Sequence, residues 1–281
     1  MIRRHTRSRG GPAIRTRRRL LVRADGRARI PRSAVPSAFT LANLLSGFLS
    51  LIRAAQGDFE TAAWLIVLAG FFDLLDGMVA RLTRGDSEFG VELDSLADIV
   101  SFGVAPSFLI YHFGAAVVPF WAFFAALPAL CGAVRLARFN TSHIGEKQDY
   151  FVGLPIPAAA GMIVAFILAF SDNTWFDGLE RGNISILIPL VVIVSMLMVS
   201  PVRFPALPQP NRASLRKYPR RFLGFGIGLL LVLFLSGPGL LIAAVGYVLV
   251  GLFNAGQWVV SVIREPDEDE PSVNVDPPPQ L

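Results

Sequence analysis

The sequence predicts an all-α protein that crosses a membrane several times, and three observations carry that expectation. Hydrophobic residues make up 53% of the 281-residue chain and the mean hydropathy is +0.54, both above the range of soluble domains. Apolar stretches of about 17 to 25 residues, enough to cross a ~30 Å hydrocarbon layer, alternate with short polar connections. Lipid offers no hydrogen bonds to the backbone, so runs of this length must satisfy their own N–H and C=O groups as helices, not as strands.

Eight segments fit, at roughly 38–55, 60–83, 93–111, 115–138, 154–171, 184–201, 222–236 and 238–262. The first holds Arg53 near its outer end, where a long side chain can snorkel to water. Asp73 and Asp76 lie in the second, and Asp94 and Asp98 in the third, which continues through "SFGVAPS" with the kink-prone Pro106. His112 follows at the outer interface, and His143 falls in a loop. The fourth segment carries Arg135, Arg138 and Asn140 near its inner end, and the lone Cys131 within its apolar run, where a thiol fills space. The fifth and sixth are plainly apolar; the seventh is short and glycine-rich, and the eighth is full length.

Charge sets the expected orientation. Residues 1–32 contain twelve arginines and one aspartate, which resists translocation and places the N-terminus in the cytoplasm. Eight crossings return the C-terminus to the same side. The connections expected outside, near 56–59, 112–114, 172–183 and 237, hold only Arg181, whereas the inner loop 202–221 holds Arg203, Arg212, Arg216, Lys217, Arg220 and Arg221. Attraction to anionic lipid explains the basic arm more simply than binding nucleic acid or acting as a transit peptide, at about 1 kcal/mol per basic residue near the surface. The tail "EPDEDEPSVNVDPPPQL" is acidic and proline-rich and is expected to be disordered. The organisation is thus a basic arm at 1–37, a transmembrane core at 38–201, a basic loop at 202–221, two additional helices at 222–262 and an acidic tail at 263–281.

Four carboxylates inside apolar helices demand a reason, because an unpaired charge in hydrocarbon costs at least ~2.5–3.5 kcal/mol. Asp73 and Asp76 are three residues apart, and Gly77, Ala80 and Arg81 continue the same stripe; Asp94 and Asp98 are four apart. A connection of about ten residues, with Arg84, Gly85, Asp86 and Gly90, makes the two helices antiparallel neighbours whose acidic faces meet. A helical rise of 1.5 Å per residue puts Asp76 and Asp98 roughly 9–10 Å from that connection, in the inner leaflet. Such a cluster repels itself unless cations hold it. Oxygen ligands without nearby Cys or His select a hard divalent ion, Mg²⁺ or Mn²⁺, one or two in number, and argue against zinc. Gly77 and Gly90 open the backbone to something bulky, and the planar fork of Arg81 suits phosphate, so metal, arginine and open backbone together imply a nucleotide diphosphate.

Residues 73–98 read D-x2-D-G-x2-A-R-x8-G-x3-D-x3-D, and the chain thereby resembles the CDP-alcohol phosphotransferase family. "FTLANLLSGFLS" at 39–50, "SFGVAPS" at 101–107, "RLARFN" at 135–140 and "FVGLPIPAAA" at 151–160 look like its phosphatidylserine synthase branch, and the resemblance covers about residues 38–200. It implies a six-helix core open to the cytoplasmic leaflet, acting as a homodimer, that takes CDP-diacylglycerol and transfers its phosphatidyl group to L-serine with release of CMP. It further implies that Asp73, Asp76 and Asp94 hold metal, that Asp98 is metal-associated and the base, and that Gly77, Ala80, Arg81 and Gly90, with Asn43 from the first helix, adjoin the cytidine diphosphate. A serine carboxylate calls for Arg135 and Arg138, with Asn140 at the helix end and Ser101 shaping the alcohol pocket. With no activated His, Cys or Ser in the motif, one-step displacement is expected over a covalent intermediate. Siblings that use inositol phosphate or glycerol phosphate are the nearest alternative. An ion-coupled transporter also buries acids, but the acids here crowd into one helix pair and do not recur in two halves.

Overall fold

The computed structural model describes residues 34–83, 88–114, 120–142, 150–171, 184–205 and 219–264. The basic arm, the acidic tail, His143 and most of the 202–221 loop lie outside them. The all-α, multi-pass expectation holds. Five helical stretches among the described residues are long and apolar enough to span a membrane, Ser37–Ala55, Phe59–Ala80, Phe89–Phe113, Trp121–Thr141 and Phe222–Gln257, and two shorter apolar helices join them.

Helix α1 (Ala34–Ala55) and helix α2 (Phe59–Thr83) form a tight antiparallel hairpin. Gly57, at φ 79°, ends α1: its amide donates to Ala54 O and that of Asp58 to Arg53 O, a left-handed cap that suits glycine. The Asp58 carboxylate then accepts from the Thr61 amide at 3.2 Å and starts α2 as its N-cap. One turn thus closes one helix and opens the next. Polarity in α1 is inverted relative to a soluble helix. Thr40, Asn43, Ser46 and Ser50 are buried, while Leu41, Leu45 and Phe48 are more than half exposed, as expected where lipid is the solvent and polar groups need protein partners.

Helix α3 (Glu88–Asp98) runs into a π-helical segment, Ile99–Val104, and on into α4 (Ala105–Phe113). Pro106 offers no amide to the carbonyl of Phe102, so the regular ladder fails there and the widened turn absorbs the mismatch. The expected kink at Pro106 is therefore a π segment that begins one residue after Asp98. Gly90, expected in the connection, lies within α3, and only 84–87 separate α2 from α3. Helix α5 (Trp121–Ser142) contains Pro128, and the Ser107 hydroxyl accepts from the Ala129 amide at 3.1 Å.

Strand β1 (Tyr150–Val152) leads to α6 (Ile156–Ser171), then α7 (Ile184–Val199), strand β2 (Arg203–Pro205) and α8 (Pro219–Arg264). Helix α6 is buried nearly all round through Ile163, Val164, Ala165 and Ile167, which is why its sequence has no polar face. The strands pair antiparallel, Tyr150 with Pro205, Phe151 with Phe204 and Val152 with Arg203; the sequence reading expected only connections there. Arg203 stacks over the Tyr150 ring at 4.7 Å.

The last two expected segments appear as α8, broken at Ser236, whose φ of 51° is non-helical. A Cβ on Gly228 would lie 3.5 Å from that of Ala243, although those residues would be about 22 Å apart on a straight helix. The halves therefore fold back on one another. At the bend, a Cβ on Gly237 would lie 2.8 Å from the Leu168 backbone of α6, so glycine permits the close approach.

Candidate active site

The carboxylates converge, though not by direct packing of α2 on α3. Helix α1 packs along both of them, and α2 and α3 approach each other less closely than either approaches α1. The acidic faces thus meet across a gap that α1 borders. In that gap one oxygen from each of Asp73, Asp94 and Asp98 lies within 4.8 Å of the others. None of the four aspartates has an ion pair with another described residue, whereas Arg53 and Asp58 pair at 3.9 Å at the α1–α2 turn.

Asp76 is the departure from expectation. It is buried, its Oδ2 accepts a hydrogen bond from the Thr40 hydroxyl, and its Oδ1 has no partner among the described residues. A three-residue step turns a helix by about 300°, so Asp73 and Asp76 point some 60° apart; Asp73 faces α3 and Asp76 turns toward α1. Asn43, also on α1, is fully buried. Its amide donates to Asp98 Oδ1 at 3.4 Å, while its own Oδ1 is unpartnered. Three oxygens in close company, with two more buried oxygens short of a donor, are a donor set that fits a hard divalent cation. Asp73, Asp94 and Asp98 would hold it, with Asp76 and Asn43 beside them.

Thr40 was missed in the sequence reading. A signal was available: Thr40, Asn43, Gly47 and Ser50 recur at three- and four-residue spacing in an apolar helix, marking one polar or small face. That face is fastened to the π segment. The Ser101 hydroxyl donates to the Asn43 carbonyl at 3.0 Å, and Gly47 is so close to Ser101 that a Cβ would stand 2.7 Å from the Ser101 Cα. Ser101, expected to shape the alcohol pocket, is fully buried and ties helices together.

The residues expected near the acceptor divide. Arg135 of α5 is 7% exposed, lies within electrostatic reach of Asp98, and has an unpartnered Nε. Arg138 instead clamps backbone, donating to Val199 O at 3.1 Å and Val152 O at 3.3 Å. Asn140 donates to Ser95 Oγ at 3.0 Å, joining α5 to α3. Gly77 follows Asp76 on α2, Ala80 lies one turn beyond it, and the side chain of Arg81 is outside the described residues.

Residues 33–200 match the family model for CDP-alcohol phosphatidyltransferase. The chain belongs to this family. Among similar family members is the CDP-diacylglycerol--serine O-phosphatidyltransferase of Helicobacter pylori strain ATCC 700392 / 26695, 40% identical over 183 residues that cover 62% of this chain and 73% of that protein. The enzyme of the same name from Bacillus subtilis strain 168 is 36% identical, over 61% of this chain and 89% of its own length. The archaetidylserine synthase of Methanothermobacter thermautotrophicus is 39% identical, over 61% of this chain and 70% of its own. Family membership covers α1 to α7; α8 lies beyond the matched residues.

Proposed function

We propose that this protein transfers the phosphatidyl group of CDP-diacylglycerol to L-serine, releasing CMP. The observation that carries the reading is the close trio of Asp73, Asp94 and Asp98, one oxygen of each within 4.8 Å of the others, inside helices that lipid surrounds. The printed names of the relatives supply the substrates.

In this reading Asp73, Asp76, Asp94 and Asp98 hold one or two divalent ions, Mg²⁺ or Mn²⁺. When bound, such an ion screens the negative pyrophosphate and stabilises departing CMP. Asn43, Gly77, Ala80, Arg81 and Gly90 border the cytidine diphosphate. Asp98 accepts the proton of the serine hydroxyl as its oxygen attacks phosphorus, and the phosphorus–oxygen bond to CMP breaks with the electron pair leaving on CMP. Asn43, donating to Asp98 Oδ1, keeps that carboxylate oriented. Arg135 is the partner for the serine carboxylate, because it is buried with a donor to spare and a planar fork binds carboxylate well. Arg138, Asn140 and Ser101 build the walls of this half. A single buried arginine suits an acceptor with one carboxylate, whereas phosphorylated alcohols call for more positive charge. Both termini and the opening of the site face the cytoplasm in this reading, with the basic arm against anionic lipid.

The test is CMP release by purified protein in detergent with CDP-diacylglycerol, Mg²⁺ or Mn²⁺, and a panel of serine, inositol phosphate and glycerol phosphate. Serine-dependent release is expected without any sealed compartment. A clear preference for a phosphorylated alcohol would defeat the serine assignment, and silence with every acceptor would defeat the enzyme reading.

A further inference from the structure

Helix α8 lies outside the family core, yet an unbroken set of contacts joins it to the α5 arginines. Tyr247, in its second half, donates its hydroxyl hydrogen to Pro205 O at 3.1 Å, and its ring stacks on Phe204 with centroids 6.0 Å apart. Phe204 is fully buried and touches the backbone of α8 at Gly251, where a Cβ would collide with its ring. Phe204 and Pro205 belong to β2, which pairs with β1. The Val152 carbonyl of β1 is one of the two that Arg138 grips. Arg138 lies three residues from Arg135, on the same side of α5. Arg135 is 7% exposed, and its Nε has no hydrogen-bond partner among the described residues.

We infer that α8 is a working part of the acceptor half of the site, with Tyr247 as a positioning residue that acts through β2, β1 and the arginine pair on how tightly the acceptor alcohol is held. This rests on the reading of Arg135 as the acceptor's carboxylate partner. The hydrogen bonds of Asp76 and Asp98 come from α1, and the trio of Asp73, Asp94 and Asp98 is built by α2 and α3; Arg135 is the one α5 residue that also acts on Asp98, and among the described residues α8 itself touches none of the four. The hairpin should therefore affect one substrate and not the other. Uniform destabilisation of the protein would not produce that division.

The experiment measures CMP release by full-length protein while serine and CDP-diacylglycerol are varied in turn. Tyr247→Phe keeps the ring stack and removes the bond to Pro205 O. It is expected to raise KM for serine roughly two- to tenfold, the worth of one neutral hydrogen bond, with kcat and KM for CDP-diacylglycerol unchanged. Gly251→Ala pushes Phe204 from the other side and should reproduce the division if Tyr247→Phe folds poorly. Gly246→Ala, on the same helix with nothing within 4 Å of the added methyl, should match wild type. An unchanged serine KM in both test variants, or equal shifts in both substrates' KM, overturns the inference. Failure of wild type to use serine overturns the proposed function, and with it the reading of Arg135 on which this inference rests; a wild type that uses serine while the variants show no division overturns this inference alone.

Discussion

Gly47→Ala is the most exacting test of how the site is assembled. The added Cβ would sit 2.7 Å from the Ser101 Cα, where ordinary contact begins at 3.4 Å, and it would also collide with the Ser101 hydroxyl. The nearest carbon behind that hydroxyl is backbone, so no rotamer change relieves the clash and α1 must move away from the π segment. That separation lengthens the Ser101 bond to Asn43 O, now 3.0 Å. It also stretches the Asn43 bond to Asp98, which at 3.4 Å is already near its limit. Overpacking of this kind costs about 1–3 kcal/mol, and a lost buried hydrogen bond adds about 0.5–1.5 kcal/mol. Thermal unfolding in detergent should show a lowered midpoint, and CMP release should fall because Asp98 loses its orienting partner. The double variant Gly47→Ala/Ser101→Gly should stay impaired, since the Ser101 Cα remains. Wild-type stability and turnover in Gly47→Ala would refute the idea that the α1 contact with the π segment holds the carboxylates in place.

Other outcomes follow from the same geometry. Asp73→Asn removes a charge from the close trio, so turnover should be abolished and Mn²⁺ binding, followed by its paramagnetic signal, should weaken; wild-type binding would separate Asp73 from the ion. Thr40→Val removes the one donor that Asp76 has among the described residues, and the Mg²⁺ concentration for half-maximal rate should rise about tenfold, as for the loss of an orienting partner of a metal ligand. Arg135→Ala should raise the serine requirement far more than the CDP-diacylglycerol requirement. Arg138→Ala, by contrast, should lower the thermal midpoint, through a loss of about 1–2 kcal/mol from two broken backbone contacts. If Arg135→Ala weakened both substrates equally, Arg135 would have a structural part only.

The sequence alone determined everything that depends on local pattern. Apolar length required helices because lipid leaves the backbone no other partner, and a three- or four-residue spacing put Asp73 and Asp76 on one stripe of their helix and Asp94 and Asp98 on one stripe of theirs. Motif spacing by itself pointed to the family. Tertiary structure decided which neighbour each group meets, since contacts between helices are set by residues distant in the chain. It drew Asp76 to Thr40 and left Asp73, Asp94 and Asp98 as the compact trio. It bordered the acidic gap with α1, committed Arg138 to backbone carbonyls while leaving Arg135 with a spare donor, and folded α8 back at Ser236 so that Tyr247 reaches β2. Periodicity gives the direction of a side chain around its own axis; only the packed bundle determines what lies in that direction.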